Sequence, residues 1–185
     1  MLTMEHSLRH HFLIAMPHLK DPHFEGTVTY ICDHTEDGAM GIVVNRVLDV
    51  KLSEILEQLE ISRARYDEPV YFGGPVQLER GFVLHREGGQ WKSSANIVPD
   101  VHVTTSRDII EAIAEGWGPP EHIIALGYAG WQAGQLEEEV ANNAWLTCPA
   151  SSDVLFNIPP DAKLSYLTGQ LGIDYSMLTD QAGHG

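Results

Sequence analysis

Apolar residues fall along this chain in short runs divided by glycine, proline and acidic residues. The first, Phe12-Leu13-Ile14-Ala15, reads as a strand that Met16-Pro17 ends, because proline cannot donate to a ladder. Residues 18–26 form a loop around the turn initiator Asp21-Pro22. The β-rich runs TVTYIC (27–32) and MGIVV (40–44) flank the polar segment 33–38, which ends in Asp-Gly, and together they predict a hairpin. Leu52, Ile55, Leu56 and Leu59 then recur at helical spacing, with Ser53 as the expected N-cap and an end near Glu60. Residues 61–68 are a polar surface connection.

The second half continues in short units. Val70-Tyr71-Phe72 is a strand stopped by Gly73-Gly74-Pro75, GFVLH (81–85) is its successor, and Gly88-Gly89 turns the chain before Trp91. Val101-His102-Val103-Thr104 alternates as a strand does. Ser106 is expected to cap a helix through Ile109, Ile110 and Ile113, with Gly116 ending it. Ile123-Ile124-Ala125-Leu126 is a buried strand. Beyond it Gly127, Gly130 and Gly134 predict a turn that leads into an acidic helix to about Asn142. Trp145-Leu146-Thr147-Cys148 is a strand closed by Pro149, and Asp153-Val154-Leu155-Phe156 a single helical turn. Asp161 caps a last helix through Leu164, Leu167 and Leu171, with a polar tail over 180–185. Hairpins early and strand–helix alternation late predict a mixed sheet with helices packed around it. With no linker or composition break, one domain is expected.

Length and composition narrow the function. A chain of 185 residues can bury about 70% of its unfolded surface without staples. Eleven basic residues against 26 acidic ones leave a net charge of -15, and the basic residues are scattered, with only Arg63 and Arg65 close together. Nucleic-acid affinity comes mainly from Lys and Arg neutralising phosphates, so direct DNA binding is disfavoured. Cys32 and Cys148 lie far apart and suit two buried thiols in a reducing compartment. No apolar stretch has the length of a membrane span and the N-terminus lacks a signal peptide, so a cytoplasmic protein is expected.

The candidate chemistry centres on LGYAGWQAGQLEEE (126–139). A strand that feeds a glycine turn and a helix can cradle a phosphate, and Gly127, Gly130 and Gly134 leave room for one. The pattern matches neither the Walker nor the dinucleotide fingerprint. Glu137, Glu138 and Glu139 moreover occupy the start of the following helix, where they repel a phosphate and complement the dipole as a solvated acidic face. Ten histidines invite a metal, yet neither HExxH nor zinc spacing occurs, so no metal and no cofactor is expected. His85 and His102 follow strand alternation as half-buried structural residues. Nucleophile motifs such as GxSxG are absent. Gly73-Gly74-Pro75 is a turn by default, which could let a ligand approach the backbone beside Arg80.

Taken together, HFLIAMP (11–17), GAMGIVVNR (38–46), YFGGPV (71–76), RGFVLH (80–85), TTS (104–106), LGYAGWQAGQLEEE (126–139) and NAWLTCPA (143–150) closely resemble the bacterial AlgH/YqgE family. Their order and spacing hold from about His11 to Gly172. Val47 stands where the family often has proline, and GHG ends the chain where GHA is usual. The resemblance implies a compact α+β fold, a curved, half-barrel-like mixed β-sheet with flanking helices in one domain. The family takes its name from a role in regulating alginate production, and its members are labelled transcriptional regulators. For a chain this acidic, that implies action through a protein or small-molecule partner.

The expected ligand surface lies where three glycine stretches meet, formed by Asn45 and Arg46 after Gly38–Gly41, by Gly73 and Gly74 with Arg80, and by Gly127, Gly130, Gly134 and Gln135. The competing expectation is an enzyme acting on a small anionic or nucleotide-like substrate, with His85 or Glu137 as its titratable group.

Overall fold

The computed structural model describes residues 7–19, 21–61, 67–86, 89–175 and 178. The expectations for Arg63, Arg65, Gly88, His184 and the 180–185 tail lie outside these residues. The first β run of the sequence becomes β1 (His11–Ala15), and the predicted hairpin becomes β2 (Val28–Thr35) and β3 (Gly38–Val43), joined more tightly than expected because residues 33–35 and 38–39 still pair. The unforeseen strand β4 (Val47–Lys51) leads into α1 (Leu52–Gln58). Ser53 lies inside that helix and does not cap it. The Glu54 carboxylate accepts from the Lys51 N–H at 2.8 Å, while Asp67 accepts from the Ser53 N–H and hydroxyl at 2.9 and 2.8 Å.

Next come β5 (Pro69–Phe72), β6 (Val76–His85), a second unforeseen strand β7 (Ser94–Val98), and β8 (Val101–Thr104). Helix α2 (Arg107–Glu115) ends on Gly116 at φ 90°, as its pattern required. Strand β9 (His122–Gln132) leads into α3 (Gln135–Ala141), β10 (Trp145–Pro149), α4 (Ser152–Asn157) and α5 (Pro160–Gln170). Where one turn was expected over 153–156, α4 is a helix, capped by the Ser151 hydroxyl, which accepts from Val154 N.

The strands form one sheet in the order β10-β1-β2-β3-β9-β6-β8-β7, with β5 paired parallel to β9 and antiparallel to β4. The fold is thus the α+β class, a curled, mostly antiparallel half-barrel with five helices among the described residues. Its inner face is lined from both halves, by Phe12, Tyr30, Ile42, Phe82, Ile97 and Val101, and α4 and α5 add Leu155 and Leu167. Outside, α1 and α2 pack Leu52, Leu56, Ile109 and Ile113 on Val83 and Ile124. Leu136 of α3 packs with Leu13, Ile31, Trp131 and Trp145 on the other outer patch. Arg9 bridges the curl, donating to Asn96 O at 2.8 Å and Ile97 O at 3.1 Å on edge strand β7, which blunts that edge.

The main correction concerns the glycines of the 126–139 stretch. Only Gly134 lies in a turn. Gly127 and Gly130 sit inside β9, which continues because β3 pairs with it through Met40↔Gly130 and Ala39↔Trp131. Gly127 is needed for a backbone crossing, in which the Gly73 N–H donates to Leu126 O and Val43 N–H donates to Gly73 O, both at 2.8 Å. A Cβ on Gly74 would fall on the Tyr128 carbonyl, and one on Gly127, at φ 77°, on the Gly74 oxygen. Gly74→Ala and Gly127→Ala are each expected to lose more than about 3 kcal/mol by urea unfolding. Gly134→Ala, at the same φ but with open space around it, should lose only about 1–2 kcal/mol. Equal losses at Gly127 and Gly134 would contradict the crossing.

Candidate functional site

The expected ligand residues divide into scaffold and surface. Asn45 Oδ1 accepts from Val28 N at 2.8 Å and its amide donates to Gly26 O at 3.0 Å, which pins the start of β2. The Arg46 guanidinium donates to the carbonyls of Pro22, His23 and Glu25 at 2.8–3.1 Å and lies 5.8 Å from the Phe72 ring centre, so it organises the 21–26 loop. Gly73, Gly74 and Gly127 make the backbone crossing. Gln135 Oε1 accepts from Gln132 N and its amide donates to Glu139, both at 2.9 Å. Arg80 and Gly130 do come together with Gly38 and Met40, on the wall of an open cleft of about 630 Å³. Arg46 borders a different, smaller hollow beside His23 and Phe72.

The expectation of a solvated acidic face holds only for Glu138. Glu137 lies 3.0 Å from Nε2 of His34. The Nδ1 of His34 accepts the Leu8 N–H at 2.8 Å, so the ring presents Nε2–H to the carboxylate. Glu139 Oε1 accepts from the indole N–H of both Trp131 and Trp145 at 2.9 Å. Both indoles are buried, and only the fold brings three residues so spaced onto one oxygen. Glu139→Ala would leave two buried donors unpaired and should lose about 2–3 kcal/mol in a urea titration followed by tryptophan fluorescence. A loss no larger than that of Glu138→Ala would remove this structural role.

Three strand histidines are likewise engaged. His85 and His102 stack at 5.3 Å, and the buried His85 ring bonds Thr104 Oγ1 at 2.7 Å. His122, across the ladder from His85, places Nδ1 on Pro119 O at 2.7 Å and Nε2 on the Glu68 carboxylate at 2.6 Å. Both partners are acceptors, so the imidazolium satisfies both. Burial opposes that charge, but the hydrogen bond and charge of Glu68, with the Pro119 carbonyl, outweigh it and hold the His122 pKa above its ordinary 6.5. A pKa raised by folding adds stability that is fully present below about 6.5 and is lost as pH rises through the folded value. The stability advantage of the wild type over His122→Gln should therefore shrink as pH rises above about 6.5 in urea titrations. A His122 NMR titration midpoint at or below 6.5 would reverse the sign. Among the described residues, no three His, Cys, Asp or Glu side chains are grouped to hold a metal ion.

A further cationic node was not visible from sequence. Arg86, at the end of β6, donates to Glu121 at 3.1 Å, to Asp153 at 2.7 Å and to the Ser152 hydroxyl at 2.7 Å. It joins the start of β9 to α4, and Ser152 in turn donates to Asp100 in the β7–β8 turn at 2.5 Å.

The more enclosed cleft, of about 300 Å³, lies outside the sheet between α1 and α2. Val83, Ile124 and Leu126 form its floor, Ile55, Leu59 and Ile110 its helical walls, and Thr105, Ser106 and Arg107 one polar rim. It exists because β6 carries Gly81 opposite Leu126, on the face where Val83 packs, and a Cβ at Gly81 would meet nothing within 4 Å. Before Gly81, Val76 pairs Tyr128 and residues 77–80 bulge out, with Gln77 at φ 52°. The bulge puts Leu78 and Glu79 on this cleft and Gln77 and Arg80 on the wider one. Sequence reading missed this cleft, because Gly81 reads as the start of a strand and Thr105 carries no motif of its own.

Comparison with known proteins agrees with this architecture. The AlgH-like family profile matches residues 12–176. A UPF0301 protein of Hahella chejuensis is 58% identical over 178 residues, covering 96% of each chain. A UPF0301 protein of Saccharophagus degradans is 54% identical, over 96% of this chain and 89% of its own. The solution structure of the AlgH protein from Pseudomonas aeruginosa superposes with a TM-score of 0.81 at 48% identity, over the full length of both chains. A Corynebacterium diphtheriae protein of 16% identity shares the fold, with a TM-score of 0.70 over 93% of this chain and 91% of its own. The chain belongs to the AlgH-like family.

Proposed function

We infer that this protein is a non-catalytic regulatory binding protein that works in the cytoplasm and responds to a small-molecule partner held in the cleft between α1 and α2. The observation that carries this reading is the cleft itself, an apolar floor closed by two helices with hydroxyl and guanidinium groups along one rim. The groups that would serve an enzyme are committed elsewhere. The Nε2 of His85 is bonded to Thr104, Glu137 faces His34, and neither lines the cleft. The net charge of -15 supports regulation without direct DNA contact. Among the described residues no helix is long and apolar enough to cross a membrane.

A protein-observed NMR screen of the full chain with a fragment library tests the reading. Binders are expected to move the amide signals of Thr105, Ile110 and Leu126 together and to emerge unchanged after prolonged incubation. Binders that cluster on another surface, or any that are turned over, would overturn it.

A further inference from the structure

The cleft also indicates what kind of molecule it takes, an inference that rests on the binding reading above. Its floor is hydrocarbon, and the space left by Gly81 is the part a ligand would fill. The polar rim has a definite hydrogen-bonding sense. Ser106 Oγ accepts from Ser93 N at 3.1 Å and donates to Asp108 at 2.5 Å, so it is occupied. Thr105 Oγ1 accepts from Arg80 Nη2 at 3.4 Å, which leaves its own O–H to donate. Arg107 commits Nε to Glu111 at 2.8 Å and Nη2 to Leu59 O at 2.6 Å, which leaves Nη1 as a further donor. Arg80 itself lines the wide cleft, over the Phe82 ring, and reaches this rim only through its bond to Thr105. The donors left on this rim are the Thr105 hydroxyl and Arg107, while Gln58 and Glu79 supply acceptors elsewhere in the lining.

We propose that the cleft binds a small amphipathic carboxylate, with an apolar body of phenyl or short branched-acyl size over Val83, Ile124 and Leu126 and the carboxylate on the Thr105 hydroxyl beside Arg107. An enclosed volume of about 300 Å³ is at the lower end for ligand sites and excludes nucleotides and long lipid chains. The acidic groups nearby set the competing preference. Glu79 also lines the cleft and Glu111 is taken by Arg107, so an ammonium head has one carboxylate to seek and the Arg107 guanidinium to avoid.

The test compares three probes of one shape, 3-phenylpropionate, 3-phenyl-1-propanol and 3-phenylpropylamine, by calorimetry and NMR on the full chain. The carboxylate is expected to bind about ten-fold more tightly than the alcohol, and the amine more weakly still. Thr105→Val, nearly the same shape without the donor, should remove about ten-fold for the carboxylate and leave the alcohol within about two-fold. Gly81→Val should abolish binding of all three while keeping the wild-type melting temperature, because its side chain enters open space at an ordinary strand conformation. Equal binding of the three heads would overturn the carboxylate assignment and leave the cleft as the site. Binding unaffected by Gly81→Val would move the ligand away from the cleft and overturn both readings, as would the absence of binding by any probe.

Discussion

The fold depends on one place where two backbones touch. Gly73 and Gly74, leaving β5, lie against Gly127 and Tyr128 of β9 with no room for a side chain on either strand. The contact is fastened by hydrogen bonds from Gly73 N–H to Leu126 O and from Val43 N–H to Gly73 O. It lets β9 serve two neighbourhoods in succession. Its first half pairs with β5 and β6 beneath α1 and α2, and its second half pairs with β3 beneath α3. Because an extended strand alternates its side chains, successive residues of β9 feed an inner core (Ile123, Ala125) and two outer patches (Ile124; Ala129 and Trp131) without a break in the sheet. A Cβ at the crossing would force the halves apart, and the curl that unites Phe12 with Phe82 and Val101 would open.

With β9 held in this way, the polar residues that look like chemistry become fasteners. Arg46 gathers three loop carbonyls, Asn45 pins β2, Arg86 joins β6 to α4, and Glu139 gathers two buried indoles. Asn45 and Glu139 satisfy buried or half-buried groups that would otherwise oppose folding, while Arg46 and Arg86 tie exposed segments to the sheet. The residues left for recognition lie where β6 bulges and then presents a glycine. One short segment, residues 77–83, thereby shapes both clefts, the wide one at Arg80 and the enclosed one at Gly81.

In the proposed complex the field of the whole chain repels anions at a distance, and Thr105 with Arg107 selects at close range a carboxylate that has an apolar body to bury.

Much of the fold was legible in the order of residues. Runs such as FLIA, TVTYIC and IIAL mark strands because alternation and β-branching suit a pleated, half-buried surface, and the periodic Ile109, Ile110 and Ile113 with Gly116 mark α2 and its end. Charge and cysteine content likewise narrowed the partners. Strands β4 and β7 were not legible, because their alternation is shallow and their stability comes from neighbours contributed by distant segments. Whether a glycine turns the chain or admits another backbone also depends on what approaches it, which is why Gly134 fits its local reading and Gly127 does not. The same holds for the site. Of the residues around the clefts the residue order marked only Arg80 as a candidate, and which hydrogen bonds remain unmade, and which face an absent side chain leaves open, are properties of three dimensions alone.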